Sequence, residues 1–61
     1  MKSYTVNTEG NNVNLAKEYG YHAYYANGIT AIEIRAENEI KAEYIAQRII
    51  GKHKKVYYVF E

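Results

Sequence analysis

Cysteine, proline and tryptophan are absent from the 61-residue sequence, and phenylalanine occurs once. Without cysteine there is no disulfide framework and no thiolate-ligated zinc. Without proline there is no proline-rich linker. Neither sign of charge dominates: Lys plus Arg number 8, Asp plus Glu 7, and the formal net charge is +1. That balance excludes a strongly basic nucleic-acid clamp or an acidic tail as the whole basis of function. Long apolar runs are missing too. The longest are Ala23–Ala26 and Val56–Phe60, far short of the ~18 residues that mark a membrane span. Met1–Val6 is followed by no apolar segment of the kind a secretory leader carries. These absences together predict a cytoplasmic protein with no membrane partner.

What is present predicts a folded chain. Hydrophobic residues make up 48% and charged residues 25%, which is too apolar for an intrinsically disordered segment. The length predicts a single domain over residues 1–61. So short a chain buries only ~60% of the surface it exposes when unfolded. Its core alone rarely supplies more than ~3–5 kcal/mol. With disulfides and thiolate metal sites excluded, association is the remaining route to extra burial. Residue usage is also skewed. Phe, Tyr, Met, Ile, Asn and Lys, read from AT-rich codons, total 29, against 13 for Gly, Ala, Arg and Pro. This predicts an AT-rich genome, such as that of a low-GC bacterium or one of its phages.

Along the chain, Lys2–Asn7 alternates, with Tyr4 and Val6 on one side and Ser3, Thr5 and Asn7 on the other, the period of a half-buried strand. Thr8–Asn12, with Gly10 and two Asn, reads as a turn. Asn11 or Asn12 is placed to cap a short helix over Val13–Tyr19, stopped by Gly20; a loop is the alternative there. Tyr21–Ala26 and Ile29–Ala36 flank Asn27-Gly28, the pair that favours a type I′ hairpin turn. A two-residue turn sets the register: Tyr25 faces Thr30, Ala23 faces Ile32 and Tyr21 faces Ile34 on the more apolar side. On the other side Ala26 faces Ile29, Tyr24 faces Ala31 and His22 faces Glu33. Glu37–Ile50 reads as the main helix, with a core stripe of Ala42, Ile45, Ala46 and Ile49, Ile50 at its edge, and Ile40 and Tyr44 opposite. Val56–Phe60 is the last strand. Val56, Tyr58 and Phe60 are assigned to the core and Tyr57 and Val59 outward; the opposite phase would leave the outer face more apolar still. The expected fold is α+β, β(α)ββαβ in sequence, a minimal form of the ferredoxin-like order. One main helix would cover one face of a four-stranded sheet.

No catalytic motif is found. His22 opposite Glu33, near Arg35 and Tyr24, is the best polar cluster, since a carboxylate can orient a histidine for acid–base or metal chemistry. No nucleophile or second ligand accompanies it, and a solvated cross-strand pair is the favoured reading. Lys52-His53-Lys54-Lys55 is the densest basic run and is the candidate contact for nucleic acid. A cationic helix end followed by a lysine-blunted strand is the structural explanation. The eight tyrosines are the strongest anomaly, because tyrosine suits half-wet contact surfaces. One helix covers one sheet face. The apolar groups left over, Tyr24, Ile29, Tyr57 and Val59 with Ile40 and Tyr44, are therefore the candidate protein-contact residues.

The expected function is a small non-enzymatic protein-binding module, self-associating as a homodimer and using neither metal nor cofactor. An inhibitor of a host protein, carried by a phage or mobile element, fits that description. The alternative is a nucleic-acid-binding module using Lys52, His53, Lys54 and Lys55 with nearby tyrosines.

Overall fold

The computed structural model describes residues 1–61. The elements are β1 (Lys2–Glu9), α1 (Val13–Glu18), β2 (His22–Ala26), β3 (Ile29–Ala36), α2 (Glu39–Ile50) and β4 (Val56–Phe60). The strands form one antiparallel sheet in the order β2-β3-β1-β4. The short α1 segment is a helix, not the alternative loop, and it packs on the sheet alongside the main helix, which was expected to cover that face by itself. α1 lies against β2 and β3, and α2 lies across β3, β1 and β4.

The core follows from alternation on the two central strands. Tyr4, Val6 and Thr8 of β1 and Thr30, Ile32, Ile34 and Ala36 of β3 are buried. The helices answer with small or branched side chains: Ala16 from α1, and Ala42, Ala46, Ile49 and Ile50 from α2. Alanine at the contact lets a helix backbone approach the large residues of the sheet, which preserves close packing in a thin molecule. The hairpin register is as the two-residue turn dictates: His22 opposes Glu33, Tyr24 opposes Ala31 and Ala26 opposes Ile29. Asn27 and Gly28 both have positive φ, 53° and 81°, the geometry a type I′ turn requires.

Four boundaries differ from expectation. β2 begins at His22, one residue after Tyr21, so the expected Tyr21–Ile34 pair lies outside the ladder. β1 runs on through Thr8 and Glu9, so the turn is shorter than Thr8–Asn12. α1 stops at Glu18, with Tyr19 as its C-cap. α2 begins at Glu39 instead of Glu37, because the Asn38 Oδ1 accepts the Lys41 backbone N–H at 2.9 Å and fixes the helix start there. Glu37, left outside, pairs with Lys41 at 3.0 Å.

The last strand requires a correction. Val6 opposes Val59, Asn7 opposes Tyr58 and Thr5 opposes Phe60, but Thr8 opposes Val56. Two steps along β1 match three along β4, so Tyr57 is the extra residue of a β-bulge. Val56 and Val59 therefore both turn inward, and both pack on the core. Tyr58 and Phe60 turn outward, against the assignment by simple alternation. Their rings stack with centroids 5.9 Å apart and planes 8° from parallel.

One end of the molecule is held by a buried polar network. Thr8, Asn12 and Thr30 have no exposed surface. Asn12 Nδ2 donates to Thr8 Oγ1 at 3.0 Å and to the Glu9 carbonyl at 2.8 Å. The Asn12 backbone N–H donates to Thr30 Oγ1 at 2.8 Å, and that hydroxyl donates to the Gly10 carbonyl at 2.6 Å. Thr8 Oγ1 donates to the Thr30 carbonyl at 3.2 Å. Lys54 Nζ completes the set on Asn12 Oδ1 at 2.8 Å. The Lys55 backbone N–H and carbonyl bond Glu9 at the same end. Asn12 thus precedes α1 without capping it through its side chain; it joins the end of β1, the start of β3 and the loop into β4. No buried side-chain polar atom lacks a partner.

Removing the hub strands several of these groups. Asn12→Ala should lower unfolding free energy by about 1–3 kcal/mol. Asn11→Ala, which loses only an exposed bond to the Val13 N–H, should cost under ~0.5 kcal/mol. Urea denaturation of both variants checks this; equal losses would contradict the network's role.

Candidate functional site

Both helices occupy one side of the sheet, so its other side is open to solvent. Register places the open side chains in rows. One row runs Tyr24, Ala31, Asn7, Tyr58 and the next His22, Glu33, Thr5, Phe60. Small side chains from the central strands form the floor, and exposed aromatic rings stand on the two edge strands. Tyr24 is 62% exposed, Tyr58 67% and Phe60 46%. Ile29 lies on the same face at the hairpin end.

A second apolar surface lies around α2. Ile40 and Tyr44 are 79% and 64% exposed, one turn apart on the side away from the sheet. Between α2 and β4 runs a groove of about 220 Å³ lined by Ile40, Val56, Tyr57, Val59 and part of Tyr58, with Glu39 and Glu43 beside them. Tyr57 belongs to this groove and not to the open sheet face, because the bulge swings it toward the helix side. Val59, expected as an outward anchor, is half-buried against the core. Of the six expected contact residues, Tyr24 and Ile29 lie on the open face, and Ile40, Tyr44 and Tyr57 on the α2 side. Tyr58 and Phe60 are the contact candidates that alternation missed; no local sequence signal announces the bulge that exposes them.

The polar candidates are dispersed. His22 and Glu33 are exposed neighbours across β2 and β3, as expected, in an open depression of about 430 Å³ shared with Ser3, Tyr21 and Arg35. The chain's two ion pairs, Lys2–Glu61 at 3.7 Å and Lys41–Glu37 at 3.0 Å, involve neither residue. No group of three or more His, Asp or Glu side chains is placed to hold a metal ion. The basic run is divided by the fold. Lys54 is committed to Asn12, while Lys52, His53 and Lys55 are exposed. No helix is long and apolar enough to cross a membrane.

Comparison with protein-family models, with curated proteins and with solved structures finds no match to this chain.

If His22 is only a surface partner of Glu33, His22→Ala should change unfolding free energy by less than ~0.5 kcal/mol. Thermal or urea denaturation tests this, and a loss of several times that amount would reveal a coupled His–Glu unit.

Proposed function

We propose that this chain is a non-enzymatic protein-binding module that self-associates, in the cytoplasm, and acts by occupying a surface. The observation that carries the reading is the open sheet face. A four-stranded sheet has helices on one side only, and Tyr24, Tyr58 and Phe60 project from the other. Tyrosine and phenylalanine are enriched at protein contacts, and here their rings flank a floor of Ala31, Asn7 and Thr5 with Glu33. The order β2-β3-β1-β4 with its two helices supports reading the fold as a minimal ferredoxin-like arrangement. The AT-rich residue usage and the small size support a role as an inhibitor encoded by a phage or mobile element.

Nucleic-acid binding has less support. The open face carries charges of both signs, from Glu33 and Arg35, and the fold diverts Lys54 from the basic run into the buried network. Phosphate recognition gains from several unopposed cations on one surface.

Sedimentation equilibrium across a concentration series tests self-association. The expected result is a mass that rises above the monomer's as concentration approaches about 1 mM, where ~4 kcal/mol of association half-populates a complex. Tyr58→Ser and Phe60→Ser should weaken it. A strict monomer throughout would remove self-association from the reading.

A further inference from the structure

We infer that the self-association proposed above is an antiparallel pairing of β4 with β4 of a second copy, giving one continuous eight-stranded sheet. β4 is an edge strand, hydrogen-bonded to β1 on one side only. An unpaired edge is a template for another strand, and proteins blunt it with charge or proline in the strand, with bulges or by keeping it short. Here the lysines and the bulge sit at the start of β4 and leave its end open. β4 reads Val-Tyr-Tyr-Val-Phe, with neither charge nor proline. The bulge at Tyr57 bends its first part and leaves Tyr58–Phe60 as the regular stretch. Both edge strands have a helix on one face, but the other edge, β2, carries no opposite charges at its two ends.

Charge selects a second copy as the occupant. Lys52 and Lys55 precede β4, and Glu61, whose carboxylate makes an exposed 3.7 Å pair with Lys2 in its own chain, follows it. Glu39 and Glu43 line the groove beside the strand, and neither has an ion-pair partner within the chain. Antiparallel pairing about a two-fold axis lays the basic approach of each copy against the acidic end of the other. The contact is isologous and closes at two.

Side-chain direction selects the register. Residues directly opposite in an antiparallel pair share a face. Tyr58 and Phe60 point outward and Val59 inward, which allows only registers that pair like faces; of these, the one centred on the Tyr58–Phe60 stretch puts Val59 opposite Val59 of the second copy and Tyr58 opposite Phe60. The stacked Tyr58–Phe60 pair becomes a cluster of four rings across the junction. The second Val59 meets the groove formed by Ile40, Val56 and Tyr57. Lys55 and Glu61 of opposite copies come within reach along the diagonal.

Because the chain has no cysteine, a single introduced thiol reports the axis. Two residues facing each other on adjacent strands lie ~4.5–5.5 Å apart at Cα, inside the disulfide range. Val59→Cys should give a disulfide-linked dimer under mild oxidation, and Tyr24→Cys on the far strand should stay monomeric in denaturing gels. Lys55→Glu and Glu61→Lys should each raise the dimer dissociation constant roughly 2- to 10-fold at low salt, and the double charge swap should restore it. A dimer that forms yet fails to cross-link at Val59, or cross-links at Tyr24 instead, overturns the β4 geometry while leaving self-association standing. Growth beyond dimers overturns the closed pair. A monomer at about 1 mM removes both.

Discussion

The structure depends on a constraint of coverage. Residues 1–61 build four strands but only two helices, of six and twelve residues, and both lie on the same side of the sheet. Burial on that side is thorough: Val6, Ile32, Ile34, Ala42 and Ala46 have almost no exposed surface. On the other side nothing within the chain covers Tyr24, Tyr58 or Phe60. Antiparallel sheets tolerate one wet face when it is polar. Here aromatic rings at both edges interrupt that polarity, and α2 adds Ile40 and Tyr44. The same shortage that makes a small domain marginal thus leaves apolar area for a second molecule.

Much of the architecture was legible because local chemistry and the global fold agree. Asn27-Gly28 alone determines the register of β2 with β3, since only a two-residue turn with positive φ at both positions fits there. Ala42, Ile45, Ala46 and Ile49 mark the buried stripe of α2 by helical spacing, and Ile40 and Tyr44 fall opposite by the same geometry. Tyr4 and Val6 show the inward face of β1 by alternation. What escaped depends on contacts between distant segments. Asn12 looks like an ordinary helix cap, yet its side chain is held by Thr8, Glu9 and Lys54. Lys54 looks like one member of a basic patch until the loop carries it to Asn12. The bulge at Tyr57 is equally hidden. Val56 and Tyr58 obey period two in the sequence, but the backbone bonds of Lys55 to Glu9 pin the start of β4, and the strand between that pin and Val59 has one residue to spare.

That single extra residue alters the functional surface. It moves Val59 from contact anchor to core, turns Tyr57 toward the helix, and exposes Tyr58 and Phe60. Apolar area on the open face increases as a result, and the aromatic groups gather near the β4 edge. Polar chemistry does not gather in the same way: His22 and Glu33 are solvated neighbours, and the basic run loses Lys54 to the interior.

The central claim is that the outward rings meet water in the isolated chain and another protein surface in the assembled one. Proton relaxation induced by a soluble paramagnetic agent, read at the ring protons of Tyr24, Tyr58 and Phe60 over a protein dilution series, measures this directly. The account predicts strong relaxation of all three rings in dilute solution and selective protection of Tyr58 and Phe60 as concentration rises. Rings shielded even at high dilution, or equally accessible at every concentration, would contradict it.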